Sequence, residues 1–479
     1  MYFKQFYLGC LAHASYLIGS DGEALVVDPQ RDVHQYVEEA KKQNLKIKYV
    51  LETHLHADFV SGHIELAKLT GAEIVISKKA EAKFQHKAVE DNEKLVVGNL
   101  EITVLETPGH TPESVCFLVS EKSDSNDTKN PKSPDKLLTG DTLFIGDVGR
   151  PDLVGAKGYS QEEMAAQLYD SIFNKLLVLD DDTEVYPAHG AGSLCGKNLS
   201  TERSSTIGIQ KKFNCALKVT SKDEFISQLC DNLPEIPQYF PVAVKLNKEG
   251  AVSLDELPTP KELSASEVKT MAESGTKIVD TRPPALYGAG HIPGSLNISL
   301  GGQFASWTGT LIPVEEEIIL LAENKEAVSE AVVRLARSGH EKVAGFLAGG
   351  IAAWEKSGLP LVQVKQITVQ ELKDLLSKQE DLQVVDVRRP GEYEAAHVPT
   401  AVNIPLSELE KNVGDIAPER PTAVVCRSGY RSSIGTGILA KAGVKLIYNV
   451  TGGTTAWIDT GYDTTREESE AGVSSCNMN

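Results

Sequence analysis

Short apolar runs alternate with amphipathic stretches along the whole chain. Before residue 235 the runs EALVVDP, IKYVLETH, LEITVLET, SVCFLVS and KLLTGD are brief and rich in β-branched residues, which predicts strands. Between some of them, DVHQYVEEAKKQ and QEEMAAQLYDSIFNKLL space their apolar residues as amphipathic helices do. Beyond residue 260, KIVD, EEIILLA, LQVVDV and PTAVVC predict further strands, and SEAVVRLARSG and SSIGTGILAKAG predict helices ending at a glycine that can cap them. Strands alternating with helices predict mostly parallel α/β sheets, in which ligands bind beyond the carboxyl ends of strands. The polar insert from Glu121 to Asp135 predicts a solvated hairpin loop.

The second half repeats itself. DTRPPALYGAGHIPGSLNISL from Asp280 recurs as DVRRPGEYEAAHVPTAVNIPL from Asp386, an offset of 106 residues, and the copies close alike on GFLAGGIAAW and YNVTGGTTAW. The expected organisation is a first domain over 1–235, a proline-bearing linker over 236–261, two domains of one blueprint over 262–362 and 363–463, and a frayed tail over 464–479.

Composition narrows the function. The 479 residues are 41% hydrophobic and 24% charged, a globular balance. The net charge of −19 argues against nucleic acid or an anionic membrane as partner and favours a small molecule. No apolar run is long enough to cross a membrane and no leader pattern opens the chain, so the expected location is cytoplasmic. The seven cysteines form no C-x-x-C pair and read as free thiols, so a functional one has to be recognised by its neighbours.

His54, His56 and Asp58 follow the run IKYVLE at alternating positions, which sends three metal-capable side chains to one side. His110, Asp141 and His189 each follow another apolar run. HLHAD, then GH, GD and AH, in that order and spacing, resemble the metallo-β-lactamase superfamily, which implies a four-layer αββα sandwich. Phe59 stands where the superfamily pattern His-x-His-x-Asp-His has its last histidine, and the loss of that ligand implies one metal rather than two. A mononuclear iron subgroup, the persulfide dioxygenases, also resembles the chain in GDVGRPDL and in the stretch leading to YPAHG. That resemblance implies one Fe(II) per chain on His54, His110 and Asp141, with His56, Asp58 and His189 orienting ligands and water, and Arg150 and Asp152 as a supporting pair. Taken from the residues without that subgroup, a zinc triad of His54, His56 and His110 stays open. Cys195 is either a buried filler or a pocket thiol able to exchange with a persulfide, and Lys197, Asn198, Ser204, Thr206 and Lys211 offer polar groups to a thiol carrier, against a default of solvated surface.

Cys426-Arg427-Ser428-Gly429-Tyr430-Arg431 joins the strand TAVV to a helix. Such a loop aims backbone N–H groups and a helix N-terminus inward, which favours a thiolate, and Arg427 and Arg431 add positive charge. With Asp386, Glu392 and His397 it resembles a rhodanese domain, whose six-residue loop implies sulfur transfer through a persulfide on the cysteine. The first copy has Ala322 at the corresponding position and lacks both loop arginines, so it reads as an inactive rhodanese-like domain. The three-part order resembles the persulfide dioxygenase–rhodanese fusions. This implies oxidation of low-molecular-weight persulfides of coenzyme A, bacillithiol or glutathione type by O2 to sulfite and thiol, capture of sulfite as thiosulfate, and a homodimer or homotetramer. The alternative is a dinuclear zinc thioester hydrolase of the glyoxalase II type fused to a sulfurtransferase.

Overall fold

The apolar runs of the first half fold into two six-stranded mixed sheets packed face to face. The computed structural model describes residues 1–122, 133–153, 158–197, 199–231, 233–378 and 381–467. The first sheet contains β1 (Tyr2–Leu8), β2 (His13–Ser20), β3 (Glu23–Val27), β4 (Lys46–Leu51), β5 (Glu73–Ser77) and β6 (Lys87–Val89) in sequential order, antiparallel to β3 and parallel thereafter. The second runs in the order β12 (Ser205–Thr206), β11 (Glu184–Pro187), β10 (Lys136–Gly140), β9 (Val115–Glu121), β8 (Leu100–Glu106), β7 (Lys94–Val97), with β10 and β11 its parallel pair. Ile18, Leu25, Val27 and Val75 of one sheet meet Ile102, Val104, Phe117 and Leu138 of the other. Each such side chain stabilises the fold by about 1.5–3 kcal/mol when fully buried.

Helices close the outer faces. Tyr36 and Leu66, on His34–Lys42 and His63–Thr70, pack on the first sheet; Leu168 and Phe225, on Gln161–Ser171 and Lys222–Cys230, pack on the second. The helix from Gln161 starts where it does because the Ser160 hydroxyl accepts from Glu163 N while the Glu163 carboxylate accepts from Ser160 N, a reciprocal cap. The four layers are the αββα sandwich expected from the motifs. Part of the expected insert loop, residues 123–132, lies outside the described residues.

Among the described residues, one compact unit contains Met1–Leu257 with Ala336–Gly339, and a second contains Pro258–Leu335 and residues 340–467. The stretch expected as a linker therefore carries structure of its own: helix Phe240–Glu249 buries Phe240, Ala243 and Asn247 within the first unit. Most of the expected tail, from residue 468, lies outside the described residues.

The second unit holds two five-stranded parallel sheets of identical order. They are β13 (Lys261–Leu263), β17 (Val343–Leu347), β16 (Ile318–Leu321), β14 (Lys277–Asp280), β15 (Leu296–Asn297), and β18 (Lys365–Ile367), β22 (Ile447–Val450), β21 (Thr422–Val425), β19 (Gln383–Asp386), β20 (Ala401–Asn403). Equivalent side chains repeat equivalent bonds. Arg282 clamps Asp280 and donates to Gly290 O, as Arg388 clamps Asp386 and donates to Ala396 O. Asn297 ties Asp280 O to Arg282 O, as Asn403 ties Asp386 O to Arg388 O. The copies share one core, in which Val279, Leu320 and Leu335 cluster with Val385, Val424, Ile434 and Ile438.

That shared core explains the helix Tyr430–Lys441, which is buried without a break from Ser432 to Leu439. One face lies on its own sheet and the other on the first copy. A Cβ at Gly437 would lie 3.1 Å from Tyr287 Oη and 3.2 Å from Ser295 O, so a larger residue would push the copies apart. Ser433 Oγ donates to Asn297 Oδ1 (2.6 Å), and Tyr430 Oη donates to Ser299 O (2.9 Å).

Candidate functional site

The metal-capable residues of the first unit meet where strands end. Asp28, just beyond β3, accepts from Thr53 N (2.7 Å) and from Thr53 Oγ1 (2.8 Å). Because the Thr53 hydroxyl spends its proton on Asp28, it can only accept from His54 Nδ1–H (3.0 Å). His54 therefore turns the lone pair of Nε2 inward. His110 Nδ1 donates to Arg150 O (2.8 Å) and His189 Nδ1 to Ala12 O (3.3 Å), which fixes the same tautomer in both. Burial, then the neighbouring His56 and His110, hold His54 well below the usual imidazole range, in the neutral form a metal needs.

Asp141 lies at the centre. His54 Nε2 is 3.8 Å and His110 Nε2 3.4 Å from its Oδ2; His189 Nε2 is 3.6 Å from its Oδ1 and 3.4 Å from Asp58 Oδ2. All five side chains are buried, and both Asp141 oxygens, Asp58 Oδ1 and His189 Nε2 make no hydrogen bond among the described residues. Buried carboxylate oxygens without partners cost several kcal/mol unless a cation neutralises them. Separations near 3.4 Å also suit donors sharing one ion at roughly 2.0–2.2 Å. The residues fit a bound metal.

His54, His110 and Asp141 form one such group; His56, Asp58 and His189 form another. His56 points Nε2 at Asp28 Oδ1, 3.2 Å away. The Phe59 ring, fully buried, lies with its centroid 4.1 Å from the ring of His13 and 4.4 Å from that of His56. Hydrocarbon fills the place where the superfamily pattern would put one more imidazole. Arg150 grips Asp152 with two bonds, Nε to Oδ1 (2.7 Å) and NH2 to Oδ2 (2.6 Å), and its backbone N donates to Cys195 O, so the loop that fixes His110 is braced. Cys195 is buried, with Sγ in one group with Asp141 and His189. Burial, with Asp58 and Asp141 nearby, pushes its thiol up to about 12, which keeps it protonated.

The polar stretch after it is largely spent on structure. Lys197 N donates to Asp147 Oδ2, Lys211 Nζ pairs with Asp181, and Thr206 caps the helix Ile207–Phe213, while Ser204 is exposed. Asn198 lies outside the described residues.

Sequence reasoning missed four residues here. Asp28 ends the apolar run EALVV, a signal that was visible. His13, buried beside His189 and His56, opens β2 and carries no motif. Asn247 and Tyr239 lie some 180 residues from what they hold: Asn247 Nδ2 donates to His56 O and Phe59 O (2.8 Å each), its Oδ1 accepts from Ser61 N (2.8 Å), and Tyr239 Oη donates to Asp58 O (3.1 Å). The backbone of the HLHADF loop is thus pinned by the stretch expected as a linker.

In the second unit, Cys426 is the first residue after β21 and is buried; Ala322 is its counterpart after β16. Gly429 N donates to Cys426 Sγ at 3.1 Å, and Ser432 Oγ lies 3.4 Å from it. Gly429, at φ +103°, supplies the left-handed turn that starts the helix Tyr430–Lys441, so the loop depends on glycine there. Arg431 is tied to Glu392 by two bonds of 2.7 Å, and Arg427 is exposed. His397 stacks on Tyr393 (3.7 Å between centroids) and bonds Tyr393 O, holding the fold of the copy.

Known families and proteins match parts of this chain. Residues 8–125 match the metallo-β-lactamase superfamily, and residues 264–357 and 368–460 each match the rhodanese-like domain. A solved metallo-β-lactamase structure from Staphylococcus aureus subsp. aureus COL is 33% identical with a TM-score of 0.63, covering 72% of this chain and 98% of that one. The mitochondrial persulfide dioxygenase ETHE1 of Mus musculus is 29% identical over 238 residues, 49% of this chain and 82% of its own length. An uncharacterized protein of Mycobacterium leprae is 41% identical over 124 residues, but the match spans only 43% of that protein.

Proposed function

The chain belongs to the metallo-β-lactamase superfamily, with two rhodanese-like domains following that fold, and from this premise we propose that it oxidises low-molecular-weight thiol persulfides with O2 and passes sulfane sulfur through Cys426. Its likeness to a protein named persulfide dioxygenase supports the class of reaction. The observation that carries the reading is the convergence of His54 Nε2 and His110 Nε2 on Asp141 Oδ2, with Phe59 packed against His56. Two imidazoles and one carboxylate are the ligand set of a single non-haem Fe(II), one per chain. Iron held by these residues would supply the redox chemistry that joins dioxygen to sulfur.

The protein's own groups do the rest. Thr53 and Arg150 O keep both imidazoles in the metal-binding tautomer, and Asp141 brings the negative charge. Burial of the site keeps bulk water from a reactive sulfur. The oxidation consumes R–S–SH, O2 and water and yields R–SH, sulfite and two protons. At the second site the Cys426 thiolate takes a sulfane sulfur, held as its persulfide beside Gly429 N, and sulfite attacks the outer sulfur to leave as thiosulfate, restoring the thiolate. Cys195, His56, Asp58 and His189 line the oxidation site without serving as ligands.

Anaerobic loading with iron, followed by metal analysis and O2 uptake with persulfides, tests this. The expected result is about one iron per chain and thiosulfate as product, with Cys426→Ser still consuming O2 but releasing sulfite. Two zinc ions per chain and thioester hydrolysis without O2 uptake would establish the other reading, for which the group of His56, Asp58 and His189 is the supporting feature.

A further inference from the structure

The duplication in the second unit separates bonds that serve the fold from bonds that serve the thiol, because both copies have the same sheet order and one lacks the cysteine. Thr451 N donates to Ile367 O (2.8 Å), and Ala348 N donates to Leu263 O (2.9 Å) at the matching place in the cysteine-less copy. That bond belongs to the fold. The residues that follow differ. In the second copy the loop after β21 gives its carbonyls to the segment after β22: Cys426 O accepts from Thr454 N (2.8 Å), Arg427 O from Thr455 N (3.1 Å) and Ser428 O from Gly452 N (3.2 Å). In the cysteine-less copy no backbone bond joins residues 322–324 to residues 349–352 among the described residues. The approach is closer as well: a Cβ at Gly453 would overlap Cys426 O, whereas one at Gly350 would lie 3.5 Å from Ala322 O.

A planar trans peptide points its N–H opposite to its C=O. With Ser428 O held by Gly452 N, the N–H of Gly429 is aimed at Cys426 Sγ, which it reaches at 3.1 Å. The carbonyls of Cys426 and Arg427, turned to the same segment, aim the N–H groups of Arg427 and Ser428 away from it, to the side on which Gly429 N meets sulfur. Gly429 O completes the row, accepting from Asn449 Nδ2 (3.2 Å) and from Ser433 N (3.3 Å). Asn449 is the one side chain among these donors, and it is fully buried on β22. Its Nδ2 also donates to Gln366 Oε1 (2.8 Å), but its Oδ1 has no hydrogen-bond partner among the described residues. A buried acceptor left so lowers stability. Phe346, which occupies the matching position in the cysteine-less copy, shows that the same fold accepts hydrocarbon there.

We propose that Asn449 is a positioning residue for sulfur transfer: by tethering Gly429 O to β22 it keeps the N–H groups of the loop aimed at Cys426 Sγ and at the negative charge that forms beside it. The proposal rests on the sulfur-transfer reading of Cys426. When thiosulfate loads the site, the Cys426 thiolate attacks its outer sulfur; the S–S bond breaks, sulfite departs with the electron pair, and the terminal sulfur of the Cys426 persulfide carries the remaining negative charge. Donors already aimed at that sulfur stabilise the charge without reorganising. Stability alone would favour a hydrocarbon at position 449, as in the cysteine-less copy.

Asn449→Leu tests this, because it removes the donor and the orphaned acceptor together, while Gly429 O keeps Ser433 N and the half-buried Gln366 can turn its Oε1 to water. Two quantities are measured on the full-length protein: the rate at which the Cys426 peptide gains one sulfur from thiosulfate under argon, followed by mass spectrometry over a range of concentrations, and the urea midpoint of the second unit. The variant should load roughly tenfold more slowly at saturating thiosulfate, less than the outright loss of a preorganised donor costs. Its urea midpoint should equal or exceed that of the wild type. A residue that only supports the fold would lower rate and midpoint together. That result, a variant that does not fold, or a saturating rate within about threefold of the wild type overturns the proposal. Failure of thiosulfate and of cysteamine persulfide alike to load Cys426 in the wild type overturns the sulfur-transfer reading instead.

Discussion

At the scale of single residues, the candidate metal site depends on groups beyond the side chains that would hold the ion. The relay Asp28–Thr53–His54 assigns the proton of one imidazole through a hydroxyl with a single hydrogen to give. Thr53→Val keeps the shape of the side chain and removes the hydroxyl, leaving His54 free to present either nitrogen. Metal affinity, measured by competition with a chelator, should fall about 10–100-fold, the usual effect of losing such an outer partner, and the melting temperature of the metal-free protein should fall with it, because buried Asp28 Oδ2 loses its donor. The ligand candidates themselves were legible in the sequence, because each histidine or aspartate follows an apolar run and strand ends face the ligand side. The partners that fix their tautomers were not: Arg150 acts through its backbone carbonyl and Ala12 likewise, and a carbonyl has no residue type to recognise.

At the scale of elements, the helix Phe240–Glu249 is a clamp. Asn247→Leu removes two donors and one acceptor from the HLHADF loop and leaves buried carbonyls of His56 and Phe59 unpaired. It should destabilise the first unit by about 2–4 kcal/mol, read as a lower urea midpoint, and weaken metal binding with it. Nothing local announced this role. A ten-residue helix with proline at its start, lying between two recognisable domains, has the composition of a connector, and its work is visible only once the chain returns to the loop. The repeat, by contrast, was readable because identical spacing imposes identical bonds, as the paired Asp–Arg clamps demonstrate.

His291 gives the first copy a pH dependence. Burial, with Arg282 adding to it, lowers this imidazole to about 4 from 6.5, against the bond from its ring to Tyr287 O. Between those values the unfolded chain takes up a proton that the folded one refuses, so the contribution to stability is complete above about pH 6.5 and declines as the pH falls toward 4. The denaturant midpoint of the second unit should drop between pH 7 and pH 5, and His291→Gln should flatten that slope.

At the scale of the whole molecule, the boundaries of the compact units differ from those of the motifs. A fragment of residues 1–257 should bind metal, and one of residues 1–235 should not, since it lacks both Tyr239 and Asn247; equilibrium dialysis with iron distinguishes them. No helix among the described residues is long and apolar enough to cross a membrane. The second copy alone, from residue 363, would expose Ile434, Ile438 and their neighbours on a helix that is buried from both sides. Such a fragment should aggregate or bind a hydrophobic dye, whereas residues 258–467 should remain soluble and cooperative.

A duplicated module that loses its reactive atom is usually free to decay. Here it is not, because the helix that follows Cys426 lies against the cysteine-less copy instead of water, with Gly437 at the contact. Lesions in the cysteine-less copy should therefore surface as defects in the sulfur transfer proposed for Cys426, and that copy cannot be removed without redesigning its twin.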